Sequence, residues 1–222
     1  MGTTIRGTAA DGHELSIYRA DPKDPPRGAL VIVQEIFGVN SHIRRVCDAY
    51  AGQGYVAVAP ALFDRVEPGI ELGYQPDDVS AGRAIREKVS LEQALADVET
   101  AAKQVAGTGR IGVVGYCWGG TVAWVAATRS RTFAAAVSYY GGGVPDLAEE
   151  QPNCPVQLHF GEQDHAIPLE GVEKLKAAHP ELPVYIYPAG HGFNCEQRGS
   201  YHAESARLAR ERALAFLREH IG

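Results

Sequence analysis

Six short segments of this chain are apolar at nearly every position, and that pattern restricts the fold more than any other feature. They are residues 29–33 (Ala29-Leu30-Val31-Ile32-Val33), 55–58, 111–114, 134–137, 156–160 and 184–187. A strand with one face in water alternates polar and apolar residues. Runs without alternation fit strands buried on both faces, as in a parallel sheet covered by helices. The segments between them carry a helical period. Ile43, Val46, Cys47 and Tyr50 follow Ser41, which reads as an N-cap, and Leu91, Leu95, Val98, Ala102 and Val105 precede a Gly107-Thr108-Gly109 stop. A last helix starts near Ser200 and runs through Leu208, Leu214, Phe216 and Leu217. Residues 3–8 and 13–19, separated by Asp11-Gly12, read as an antiparallel hairpin. A hairpin followed by six β/α units predicts one doubly wound α/β domain spanning 1–222, mostly parallel, with helices on both faces. Residues 61–90 lack a strand signal and read as a loop-and-helix excursion over the top of the sheet, where such folds bind ligands.

Bulk properties mainly exclude. The formal net charge is -6, and no basic run with interleaved aromatics occurs, so neither nucleic acid nor an anionic membrane is an expected partner. The apolar runs are too short to span a bilayer, and the N-terminus lacks the order of a signal peptide, which reads as a cytoplasmic protein. Four cysteines, at 47, 117, 154 and 195, form no CxxC pair and are expected to be reduced thiols. Only His191 and Cys195 stand close enough in sequence to share a metal, and two donors do not make a site, so no metal is expected. A monomer is the expected state, with a dimer as the alternative.

The stretch richest in chemistry is Gly115-Tyr116-Cys117-Trp118-Gly119-Gly120. A buried strand ends here and a helix of small residues begins, with Gly-x-Cys-x-Gly between them: the nucleophile-elbow pattern, carrying cysteine where serine is usual. The turn is tight enough that side chains two residues either side of the nucleophile would clash. Cys117 then stands at a helix N-terminus, where free N–H groups and the dipole favour a thiolate. The partners should follow in the order acid, then histidine. Asp164 lies just past the strand at 156–160, and His191 lies past the final strand. Glu162 and His165 compete for these roles; Glu162 sits closer to the strand end and His165 does not follow the right strand, so Asp164 and His191 are preferred. A free cysteine is only a few per cent thiolate at neutral pH. His191 is therefore expected to take the thiol proton or to stabilise the thiolate, and Asp164 to fix the ring's tautomer and orientation.

Together with Gln34-Glu35-Ile36-Phe37-Gly38-Val39-Asn40, Ser138-Tyr139-Tyr140-Gly141 and Ala189-Gly190-His191-Gly192-Phe193, this elbow resembles the dienelactone hydrolase (carboxymethylenebutenolidase) family from about residue 10 to the C-terminus. The resemblance implies a single-domain α/β-hydrolase fold, a Cys117–His191–Asp164 triad and a glutamate, Glu35, that helps to ionise the thiol when substrate binds. It implies no cofactor. The oxyanion hole should be the backbone N–H groups of Trp118 and Ile36. Attack by sulfur gives a tetrahedral intermediate, then a thioester, then hydrolysis by water, with an enol-lactone or related ester as the small-molecule substrate.

One departure bears on substrate charge. The family's dienelactone enzymes hold a substrate carboxylate with two arginines, one shortly after the histidine; four residues past His191 this chain has Cys195. Arg198 and Arg83 are the candidates to replace them, and Phe37, Tyr139 and Trp118 the candidate pocket walls. A general carboxylesterase or thioesterase on the same fold is the first alternative. A ligand-binding protein without turnover is the second, although it would have no need for all of Cys117, His191 and Asp164.

Overall fold

The apolar runs pair into one eight-stranded sheet. In the computed structural model, which describes residues 2–222, β1 (Thr3–Thr8) and β2 (Glu14–Ala20) form the antiparallel hairpin. β2 pairs antiparallel with β4 (Tyr55–Pro60), and β3 (Gly28–Val33) runs parallel between β4 and β5 (Ile111–Tyr116). β6 (Ala135–Tyr139), β7 (Val156–Gly161) and β8 (Val184–Tyr187) continue the parallel part, giving the order β1-β2-β4-β3-β5-β6-β7-β8. Every residue of β3, β4 and β7 is buried, which is why those segments do not alternate.

Helices cover both faces: α1 (Ser41–Ala51) and α6 (Ala203–His220) on one, α3 (Leu91–Lys103) and α4 (Trp118–Arg129) packed together on the other. α5 (Leu169–Ala178) follows β7, and α2 (Pro76–Arg86) belongs to the excursion after β4. The expected cap of α1 shifts by one residue. Asn40, not Ser41, is the N-cap: its Oδ1 accepts from the backbone N–H groups of His42 and Ile43 at 3.2 and 3.3 Å, leaving Ser41 as the first helical residue. The last helix begins at Ala203, three residues later than expected from Ser200, with the His202 ring as its cap.

The excursion is tied down at both ends. Arg65, in a 3-10 turn after β4, grips Asp97 of α3 with Nε and Nη2 at 2.7 and 2.8 Å. The side chain of Asn40 donates to Leu72 O and to the Tyr74 hydroxyl. α2 then lies over the loop after β3, close enough that a Cβ on Gly82 would collide with the Ile36 carbonyl. No helix among the described residues is long and apolar enough to cross a membrane.

Candidate active site

β5 ends at Tyr116 and α4 starts at Trp118, so a single residue makes the turn between strand and helix. That residue, Cys117, has φ 56° and ψ -120°, a backbone conformation L-residues rarely adopt. Its N–H donates to Tyr139 O at 3.0 Å, and its carbonyl accepts from Gly120 N at 2.9 Å. A Cβ on Gly115 would fall on the Gly119 carbonyl, and a Cβ on Gly119 on the carbonyls of Val33 and Gln34. The two flanking glycines therefore let the elbow close against β3, with the Cys117 sulfur half-buried above the sheet edge.

The loops after β7 and β8 deliver the other two groups. Asp164 is fully buried; its Oδ1 accepts from Ala166 N at 2.9 Å and its Oδ2 stands 2.7 Å from His191 Nδ1. His191 Nε2 lies 3.1 Å from the Cys117 sulfur, and the Ser200 hydroxyl donates to the His191 carbonyl at 2.6 Å. The structure thus brings Cys117, His191 and Asp164 into one hydrogen-bonded line. Burial opposes charge on the imidazole, but the Cys117 sulfur and the Asp164 carboxylate outweigh it and raise the ring's pKa to about 10. Glu162 and His165 are exposed and take no part in this line.

The line opens on a cleft of about 390 Å³ lined by Ile36, Phe37, Arg83, Trp118, His191 and Arg198, among others. Neither the Trp118 nor the Ile36 backbone N–H donates a hydrogen bond among the described residues. Both belong to residues at the cleft, as an oxyanion receptor requires. α2 supplies Arg83 and Arg86 to the cleft wall, together with Val79. A larger cleft, about 810 Å³ between α1 and α6, does not reach Cys117 and is not the site of this chemistry.

Glu35 is buried directly after β3, as its position implies, and Arg198 Nη1 donates to its Oε1 at 3.1 Å. No hydrogen bond joins it to the Cys117 sulfur among the described residues; its other oxygen, Oε2, has no partner. Arg198 also lies over the Phe37 and Tyr74 rings, 5.5 and 6.0 Å from their centroids.

Tyr139 does not line this cleft, which corrects the sequence expectation. It is buried between Tyr116 and His159, and it faces the cleft between α1 and α6. Successive residues of a strand point to opposite faces, and the next one, Tyr140, turns to the active side: its ring packs edge-on against His191, 5.2 Å between centroids. Tyr140 has φ 39°, and that departure from β geometry carries no signature in the sequence. Thr121, whose Oγ1 accepts from Gly143 N at 3.0 Å, and Arg86 also line the cleft without having been singled out.

Comparison with known proteins agrees with this architecture. The model of the "Dienelactone hydrolase family" matches residues 15–221. The carboxymethylenebutenolidase of Pseudomonas putida is 35% identical over 93% of this chain and 92% of its own. A crystal structure from Klebsiella pneumoniae described as "Putative Dienelactone Hydrolase" shares 33% identity and a TM-score of 0.82 over 96% of this chain and 98% of that one. A "Dienelactone Hydrolase-like Promiscuous" phosphotriesterase from metagenomic libraries has a TM-score of 0.81 at 17% identity, over 100% of this chain and 99% of that one, a likeness of fold alone. With a hydrolase fold from end to end and a family match spanning nearly all of it, this chain belongs to the dienelactone hydrolase family of hydrolases.

Proposed function

We propose that the protein hydrolyses an enol-lactone or related ester through a thioester on Cys117. The observation that carries the reading is the line Asp164 Oδ2–His191 Nδ1–His191 Nε2–Cys117 Sγ, at 2.7 and 3.1 Å, beneath an open cleft. Asp164 holds the ring with Nδ1 protonated and Nε2 toward sulfur. With the thiol proton on Nε2, the imidazolium faces a thiolate, the arrangement in which the raised basicity of His191 is at its strongest.

Sulfur attacks the ester carbonyl, and the developing oxyanion is received by the Trp118 and Ile36 N–H groups, which have no competing acceptor. Collapse expels the leaving oxygen and leaves a thioester on Cys117. An enolate leaving group is stabilised and needs little protonation to depart, which favours enol-lactones and disfavours amides. The departing enolate takes the proton held on His191 Nε2. The neutral ring then takes a proton from water, the hydroxide attacks the thioester carbonyl, the acid product leaves, and the proton on His191 is shared again with the Cys117 sulfur.

Glu35 has a conditional part. It is held by Arg198, so a substrate that draws Arg198 away frees a second carboxylate that adds to the thiol ionisation His191 already supports. The same contact favours a second reading. Arg198 already has its anion, so the cleft is also suited to a neutral ester or thioester, which makes a general carboxylesterase the alternative.

A panel of charged and neutral enol-lactones and simple esters tests both readings, with mass spectrometry of Cys117 for a trapped acyl group. Turnover without any acyl-Cys117 would refute the thioester. Turnover of neutral substrates alone would select the carboxylesterase.

A further inference from the structure

Glu35 and His42, close together in sequence, are joined in a buried cluster by Cys195 from far along the chain. Glu35, His42 and Cys195 each place one donor atom so that all three lie within 4.8 Å of one another. Each is at most 1% exposed. One polar atom on each of two of these residues, Glu35 Oε2 and His42 Nε2, is buried without a hydrogen-bond partner among the described residues. An unsatisfied buried polar atom costs about 1–3 kcal/mol, so two of them on residues clustered with a thiol call for a common partner.

The second carboxylate oxygen of Glu35 and the second ring nitrogen of His42 are already held. Arg198 binds Glu35 Oε1 at 3.1 Å, and Glu196 Oε2 lies 3.0 Å from His42 Nδ1. The Tyr74 hydroxyl stands against the Cys195 sulfur. A carboxylate on Nδ1 keeps the proton on that nitrogen and turns the Nε2 lone pair toward the cluster. This is the outer support that a metal-ligating histidine characteristically has.

We propose that Glu35, His42 and Cys195 form a site for one divalent ion of the zinc class. A sulfur, an imidazole nitrogen and a carboxylate oxygen suit zinc or cobalt and do not suit magnesium or calcium, which take oxygen. Donors on one zinc ion stand about 3.3–3.8 Å apart, from the usual bond lengths, so small side-chain rotations close the set and leave a fourth position for water. Binding forms a sulfur–metal bond and releases the Cys195 thiol proton to solvent. His42 and Glu196 also line the cleft between α1 and α6, which shares no lining residue with the cleft at Cys117 and gives the ion a separate route. The ion would hold Glu35 away from Cys117 and so restrain turnover. That consequence rests on the hydrolase reading, whereas the site itself does not.

The test uses metal-free protein carrying Cys117→Ala, which has no nucleophile and no thiol at the elbow, so its outcome is independent of whether the chain turns over esters. Titration with cobalt(II) should saturate at one equivalent with a thiolate-to-metal charge-transfer band, and zinc should displace it and raise Tm. Adding Cys195→Ala should abolish the band. Glu196→Gln, which weakens the support of His42 along with an exposed Arg45 contact, should weaken binding about 10–100-fold. Folding of each variant is checked by circular dichroism. No band in the folded Cys117→Ala protein would overturn the proposal, because a buried water satisfies the same two atoms and gives no such signal. A band that survives Cys195→Ala would overturn it equally, by moving binding to Cys47 or Cys154.

Discussion

The sulfur of Cys117 lies 3.1 Å from Nε2 of His191, at the one residue that separates β5 from α4. Removing either atom leaves the other without its chemical partner, while little of the packing depends on the thiol. Cys117→Ala should therefore lower ester turnover by about 10³-fold or more and change Tm only slightly. Asp164→Asn should cost about 10⁴-fold by stabilising the wrong tautomer. Steady-state kinetics on one activated ester, with circular dichroism of each variant, checks both. Parent-like turnover in Cys117→Ala would remove the nucleophile assignment.

The pH behaviour of His191 follows from the same contact. Its pKa is raised from 6.5 to about 10, burial being outweighed by Cys117 and Asp164. A group whose folded pKa is raised contributes stability that is complete below its unfolded pKa and is lost as pH rises through the folded value. His191 should thus stabilise the native state fully below about pH 6.5, and the contribution should fade toward pH 10. Denaturant unfolding of the parent against His191→Gln should show the difference shrinking over that window. Nitrogen-15 NMR of the ring should find it still protonated at pH 8 in the parent and titrating lower in Cys117→Ala. A ring already neutral at pH 7 in the parent would contradict the ion-pair description.

Much of this was legible because strands buried on both faces need unbroken apolar runs and because the candidate site residues follow strand ends. The six runs became β3 to β8, and Cys117, Asp164 and His191 sit on the loops after β5, β7 and β8. The assignment of Tyr139 to the pocket missed for a local reason: strand parity and the positive φ of Tyr140 decide which neighbouring ring meets His191. Asn40 and Ser41 are both good capping residues, and only backbone geometry chooses between them. The Glu35–His42–Cys195 cluster was hidden because Cys195 stands far along the chain from the other two. Residue spacing reveals metal donors only when a single turn or helix supplies them.

The excursion after β4 depends on a buried ion pair. Arg65 grips Asp97 at 2.7 and 2.8 Å, with side-chain exposures of 7% and 0%, and also reaches Asp11 at 2.7 Å. Burial alone raises the Asp97 pKa, and Arg65 opposes that shift. Arg65→Met would strand the carboxylate in the interior and should cost about 3–5 kcal/mol in urea unfolding. Arg65→Met with Asp97→Leu should recover most of the loss. A single variant as stable as the parent would show that water reaches Asp97.

Substrate charge should be read by Arg83 rather than Arg198. Both line the cleft, but Arg83 is exposed on α2 and makes no ion pair among the described residues, whereas Arg198 is bound to Glu35 and flanked by Phe37 and Tyr74. Arg83→Met removes a solvated charge at little cost in stability. For a carboxylate-bearing lactone it should raise KM about tenfold, the worth of roughly 1.4 kcal/mol, with kcat and the KM of a neutral ester unchanged. Arg198→Met should behave differently, because it leaves Glu35 buried without its cation. It should lower Tm, and Glu35→Gln in the same chain should restore it. Equal losses on charged and neutral substrates in Arg83→Met would mean that α2 shapes the cleft without reading charge. Selection would then fall to Arg198, whose release from Glu35 would have to accompany binding.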